Sequence, residues 1–241
     1  MKSIFKSLLK FLPKKLVDHL YYTHEEHKKL AFSARSFSAE GEDIMLTRLF
    51  PNKISGFFVD IGAHHPSYAS NTKLFYNMGW NGINIEPNPN AKELFDKERP
   101  RDINLSLLIS EKNGNVNFHM FNQPSMNTIS DEVMEEYKKV EWCTFLETKK
   151  IKSMRLGDVL NTYLKPDQEI DFMSIDVEGA EMQVLNSNDW KFKPKVILLE
   201  INDTDIIEVL KTQPYLFLIE RDYNFYAKTG NTVFFRLSDF K

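Results

Sequence analysis

Five short apolar runs, separated by longer stretches of helical composition, constrain the fold more than any other feature of this chain. Phe57 to Ile61, Gly82 to Ile85, Ile103 to Ile109, Ile170 to Ile175 and Val196 to Ile201 are apolar almost throughout rather than alternating with polar residues. A strand of that kind needs cover on both faces, so the pattern predicts an α/β fold with a doubly wound, mostly parallel sheet. Near the C-terminus, Tyr223 to Ala227 and Thr232 to Leu237 flank the turn formers Thr229-Gly230-Asn231 and predict an antiparallel hairpin. Five parallel strands and two from the hairpin make a seven-stranded sheet.

A chain of 241 residues with 42% hydrophobic content buries one sizeable core, which predicts one domain over residues 37–241 and a helical extension over 1–36. In the extension, Ile4, Phe5, Leu8, Leu9, Leu12 and Leu16 recur at helical spacing, with Lys2, Lys6, Lys10, Lys14 and Lys15 between them. Such a basic amphipathic helix docks on its own domain or a second subunit, or lies on an anionic membrane surface. His19, His24 and His27, scattered among Glu and Lys, read as a solvated helix. The polar segment from about Met120 to Lys152 is helix-prone and sits between strands, where a substrate lid is expected.

Charge and cysteine content narrow the function. The 31 basic and 34 acidic residues are interleaved and give a net charge of −3, so no basic field attracts a nucleic acid backbone. The single cysteine, Cys143, cannot form an internal disulfide, which agrees with a reducing compartment. Neither a run of about 20 apolar residues nor a secretory leader is apparent. The expectation is a cytoplasmic protein, with the N-terminal helix as its route to the inner membrane face or to another subunit.

The chemistry gathers where the apolar runs end. The first ends in Val59-Asp60-Ile61-Gly62-Ala63, and Gly62 allows a sharp turn and close backbone approach to a ligand at the carboxyl edge of the sheet. The second ends in Ile85-Glu86-Pro87-Asn88, about twenty residues on, where an acidic residue accepts the two hydroxyls of a ribose. After Gly62 come Ala63, His64, His65 and Pro66 rather than the further glycines that cradle a pyrophosphate. A nucleoside without a diphosphate therefore fits better than a nicotinamide dinucleotide, and S-adenosylmethionine meets that description.

Several separate motifs then agree with one family. Phe37-Ser38-Ala39-Glu40-Gly41-Glu42-Asp43, the Val-Asp-Ile-Gly-Ala strand, Ser70-Asn71-Thr72, Gly79-Trp80-Asn81-Gly82, Glu86-Pro87-Asn88-Pro89 and Ile175-Asp176-Val177-Glu178-Gly179-Ala180-Glu181 occur in order from Phe37 to the hairpin. In this the chain resembles the FkbM-type methyltransferases. The resemblance implies a class I, Rossmann-like methyltransferase fold, S-adenosylmethionine as donor, and O-methylation of sugars or other hydroxylated compounds. It implies that Gly62, Ala63 and His64 meet the methionine end of the donor, with Ser70, Asn71 and Thr72 beside it. Glu86 would hold the ribose, and Ser106 and Leu107 would lie near the adenine. The motif residues Glu42, Asp60, Pro87 and Asn88 complete the cofactor set. Two positions depart from the pattern: Ser106 stands where the family more often has Asn, and Ala39 where it has Gln.

Methyl transfer to a hydroxyl needs a group that removes the proton. Asp176, emerging from the run Phe172 to Ile175, and Glu178 two residues on are the candidate bases, although both also suit caps of the helix starting near Glu181 or groups that hold the glycine turn together. His65, beside His64 at the cofactor turn, is a third candidate, since imidazole titrates near neutrality. A hard cation such as Mg2+, held by Asp176, Glu200 and Asn202, would serve the same end. The acceptor class expected is a sugar, a nucleotide-linked sugar or a surface-glycan precursor. Methyltransferases acting on base amino groups commonly carry an Asn- or Asp-Pro-Pro-aromatic string where this chain has Asp176-Val177-Glu178-Gly179, which favours oxygen. A nucleotide-dependent oxidoreductase and a non-catalytic scaffold of the same fold are the rival readings.

Overall fold

The computed structural model describes residues 13–16, 34–203 and 205–240. Contacts divide the chain into Met1–Arg35 and Ser36–Lys241. Of the basic amphipathic segment, only the turn at its end is described, Leu16 N–H donating to Pro13 O at 2.8 Å. The rest of that helix, and the stretch with His19, His24 and His27, lie outside the described residues.

Unit Ser36–Lys241 is built on a seven-stranded sheet. In chain order its elements are α1 (Glu42–Leu49), β1 (Phe57–Ile61), α2 (Lys73–Asn77), β2 (Asn81–Ile85), α3 (Pro89–Glu98), β3 (Ile103–Leu105), β4 (Leu108–Ile109), β5 (Gly114–Phe121), α4 (Asp131–Tyr137), β6 (Phe145–Met154), α5 (Leu156–Tyr163), β7 (Phe172–Ile175), α6 (Glu181–Ser187), β8 (Val196–Glu200), α7 (Ile206–Val209), α8 (Gln213–Ile219), β9 (Tyr223–Lys228) and β10 (Thr232–Leu237). The strand order is β3-β2-β1-β7-β8-β10-β9, parallel except that β10 runs antiparallel to β8 and β9. This is the α/β, doubly wound sheet with a C-terminal hairpin that the apolar runs predict. The order reverses between β1 and β7, which opens a crevice outside their carboxyl ends.

Alternation along each strand sends side chains to two cores. Phe57, Val59 and Ile61, with Met173, Ile175, Ile197 and Leu199, face α5, α6 and α8 through Leu156, Val159, Leu160, Val184, Leu185 and Leu218. Phe58, Phe172 and Leu198 face the other way, onto Leu46 of α1, Phe75 of α2, and Trp80. Phe58 and Phe172 stack at 5.7 Å between centroids. A residue two places beyond Phe58 or Phe172, Asp60 or Ser174, therefore lies on this aromatic face at the carboxyl end of its strand. At the far edge, the buried hydroxyl of Tyr223 donates to Pro194 O at 2.7 Å. Tyr223→Phe leaves that carbonyl short of a donor at a cost of about 1 kcal/mol, read as a fall of roughly 2–4 °C in Tm for a domain of this size.

Two expectations are corrected. The run Ile103 to Ile109 is two strands, because the chain leaves the main sheet after Leu105, buries Leu107 in the core and re-pairs as β4. The segment Met120 to Lys152 is helical only at α4, apart from one turn of 3-10 helix at Pro124–Met126. Its last part is β6, which runs antiparallel to β5 from Gly114↔Ser153 to Phe121↔Phe145 and parallel to β4, forming a separate three-stranded sheet. Pairing overrides local composition there, since Val116, Phe118, Met120 and Ile151 bury one face with Leu108 and Ile129. Cys143 is a buried free thiol. Among the described residues no helix is long and apolar enough to cross a membrane.

Candidate active site

The crevice begins with a turn that only glycine makes well. Gly62 follows β1 with φ at +79°, and a Cβ there would run into the backbone carbonyl of Asp176 at the end of the neighbouring β7. The N–H groups of Gly62 and Ala63 both reach Ile85 O, at 3.0 and 3.1 Å, so the turn is clamped between β2 and β7. His64 comes next at φ +52°, and across the crevice Glu178 stands at φ +53° before Gly179 at +95°. Non-glycine residues in this region carry strain of about 1–3 kcal/mol and gather at functional sites.

Glu86 ends β2 with a fixed carboxylate. Oε2 accepts from His64 N–H at 2.9 Å and Oε1 from Asn88 N–H at 2.8 Å. Removal from water raises its pKa, and the two N–H groups work against that rise. Each oxygen keeps a lone pair for a further donor, an arrangement that receives a vicinal diol. Pro87 and Asn88 continue the edge, and the Asn88 side chain caps α3 through Asn90 N–H at 3.1 Å. Ser106, half-buried, lies just beyond β3.

At the end of β7 and β8 the acids converge. Asp176 opens onto the crevice, yet the surrounding walls strip enough water from it to raise its pKa. A hydrogen bond to Glu200 and the proximity of His64 oppose the rise, and Glu42 adds to it. Glu200 is pushed up to about 8 by desolvation first and then by Asp176. Its Oε2 is buried without a donor, and a hydrogen bond between the Glu200 and Asp176 carboxyls needs a proton on one of the two. Glu178 is raised to about 7 by desolvation and by its neighbours Asp176 and Glu181. Neither Asp176 nor Glu178 caps α6, whose N-cap is Ala180 with no side-chain bond, so the helix-capping alternative falls.

These shifts fix a pH dependence. An acid whose pKa is raised on folding contributes stability that is present below its unfolded value and lost as pH rises through the folded one. For Glu200 and Glu178 that window runs from about 4.5 to about 8 and about 7. Glu200→Gln keeps a donor toward Asp176 without ionising, so its Tm should exceed that of the parent by a few degrees at pH 8 and match it at pH 5. Thermal melts across that range check this.

Several expected contacts are placed elsewhere. Ser70 and Thr72 are buried, Ser70 Oγ accepting from Lys73 N–H at 3.2 Å and Thr72 Oγ1 donating to Asp60 Oδ2 at 2.8 Å, so they support the crevice from below. Asp60 is likewise 5% exposed, with its pKa raised to about 6 by burial against the opposing bond from Thr72. Leu107 belongs to the core. Asn71 stays half-buried at the rim, its amide donating to Ser174 Oγ at 3.0 Å. Glu42 is buried with both oxygens engaged, by Thr229 Oγ1 at 2.8 Å and Glu40 N–H at 2.9 Å, and it ties the opening motif to the β9–β10 turn.

Of the two histidines, His64 is exposed at the crevice, and partial burial and then His65 lower its pKa against the opposing pull of Asp176. His65 is not placed to be a base. Its Nδ1 accepts from the N–H groups of Ser67 and Tyr68, both at 3.1 Å, so a neutral ring carries its proton on Nε2 and has no free lone pair. The Mg2+ arrangement is not carried forward either. Among the described residues no group of three or more His, Cys, Asp or Glu could hold a metal ion.

Comparison with known proteins follows the same lines. A family model described as the methyltransferase FkbM domain matches residues 60–225. Among curated proteins no match is found. Solved structures similar to this chain include a precorrin-6y C5,15-methyltransferase from Geobacter metallireducens, 14% identical with a TM-score of 0.42, covering 84% of this chain and 90% of its own. Another is a 1,6-didemethyltoxoflavin-N1-methyltransferase from Burkholderia thailandensis, 11% identical with a TM-score of 0.42, covering 92% and 86%.

Proposed function

The chain belongs to the FkbM methyltransferase family, and from that premise we propose that it is an S-adenosylmethionine-dependent O-methyltransferase acting on a hydroxyl of a sugar, a nucleotide-linked sugar or a surface-glycan precursor. The observation that carries the reading is the Glu86 carboxylate, oriented by two backbone N–H groups and beside a turn that has no glycine-rich pyrophosphate cradle. Glu86 would hold the ribose hydroxyls, the Gly62–His64 turn the amino-acid end, and Ser106 the adenine edge. The acids at the ends of β7 and β8 suit a cationic donor. Bound there, S-adenosylmethionine supplies an electrophilic methyl carbon on a sulfonium.

The chain's own task is to present an acceptor hydroxyl and take its proton. Asp176 is the base in this reading, because desolvation has raised its pKa toward the working pH while its bond to protonated Glu200 keeps it ionised and oriented. Glu178, strained and exposed on the same loop, lines the acceptor side. The proposal takes the enzyme to be cytoplasmic.

The test is transfer of a labelled methyl group from S-adenosylmethionine to a panel of sugars, nucleotide-linked sugars, glycan fragments and amines. Label in a base-stable methyl ether of a carbohydrate is the expected product. Label on nitrogen or on a carboxylate would overturn the acceptor class.

A further inference from the structure

One residue away from the carboxyl edge, a polar row crosses the aromatic face of the sheet. Asn104, Asn84, Asp60 and Ser174 are neighbours in register on β3, β2, β1 and β7. Arg99, the C-cap of α3 and 0% exposed, inserts its guanidinium into this row. Nε donates to Asp102 Oδ2 at 2.8 Å, and Nη2 to Asn84 Oδ1 at 3.2 Å and Thr72 Oγ1 at 2.9 Å. Nη1 donates to Pro66 O at 3.1 Å. Thr72 passes the contact on to Asp60. The rings of Tyr76, Phe58 and Phe95 lie 4.9, 5.4 and 5.7 Å from the guanidinium carbon.

Two of these bonds end on the loop that frames the crevice rather than between core elements. Pro66 closes the Gly62–His65 turn, and Thr72 opens α2 at the other end of the same loop. We propose that Arg99 is a positioning residue for the cofactor site, fixing both ends of the 66–72 loop to the Asp60 row and so setting the path of the turn on which the donor lies. The inference rests on the donor site proposed above. A planar fork with five donors reaches these partners at once, and a lysine ammonium, a compact point charge, does not.

The test compares the parent chain with Arg99→Lys and Thr72→Val. Thr72→Val removes the link to Asp60 while leaving the Arg99 charge in place, and it decides the matter if Arg99→Lys fails to fold. Each protein is titrated with S-adenosylhomocysteine from pH 5 to pH 8, well below its Tm. The expected result is an affinity lower by about 10- to 100-fold in the folded variants. In both variants the pH below which binding weakens also moves up, because Asp60, which Asp102, Asp176 and Glu86 also face, loses either the Thr72 hydrogen bond or the fixed guanidinium, each of which holds its pKa down. Variants that melt earlier but bind with the parent's affinity and pH profile would overturn the proposal and leave Arg99 a stabilising residue only. Failure of the parent chain to bind would overturn the donor-site reading instead.

Discussion

Replacing Asp176 with Asn lowers the rate of methyl transfer by about 10²- to 10⁴-fold, the usual contribution of a positioned general base, and leaves the affinity for S-adenosylhomocysteine nearly unchanged. The amide keeps the size and polarity of the side chain but cannot take a proton from an acceptor hydroxyl. Removing Asp176 also relieves Glu200 of a charged neighbour and of its hydrogen-bond partner, so the acid that titrates at about 8 falls toward ordinary values. Because the group whose protonation silences the base is itself gone, transfer measured against pH loses its acid limb in the variant. If Asp176→Asn kept full rate, proton removal would have to be assigned to another group, with Glu178 next in line.

Gly62→Ala has the largest expected effect on the fold. The residue sits at φ +79°, where an L side chain is strained, and its Cβ would overlap the carbonyl of Asp176, a backbone atom that cannot swing aside. Either β1 and β7 separate or the turn flattens. The cost is about 3 kcal/mol or more, a fall of roughly 6–12 °C in Tm. Because the same contact positions Asp176, whatever folds should also lose transfer activity. Thermal melts and a rate measurement on the soluble fraction read both effects. An unchanged Tm would mean that the turn is not clamped as described.

The sheet was legible in the sequence because its strands are buried on both faces, and continuous apolar runs leave few other interpretations. The crevice was legible for the same reason, since Gly62, Glu86, Asp176 and Glu200 stand where those runs stop. The three-stranded sheet was not. Its longest strand, Phe145–Met154, carries Glu147, Lys149, Lys150 and Lys152, and only the partner strand reveals which face is buried. Ser70, Thr72 and Leu107 illustrate a second limit: a motif places residues near a cofactor along the chain, but it does not say which are turned inward beneath it. Arg99 lies in the charged run Lys97-Glu98-Arg99-Pro100-Arg101-Asp102, which looks solvated throughout. A weak signal did exist, in that Asp60, Asn84 and Ser174 are polar residues inside apolar strands, each near the carboxyl end, and a buried polar row of that kind calls for a partner.

The central claim, that Glu86 and the Gly62 turn hold S-adenosylmethionine, is tested most directly by calorimetric titration. The parent chain and Glu86→Ala are each titrated with S-adenosylhomocysteine and with NAD. The account predicts one site for S-adenosylhomocysteine on the parent chain, no binding of NAD, and loss of the site in Glu86→Ala with Tm little changed. Binding of NAD alone, or of neither ligand by a folded parent chain, would contradict it.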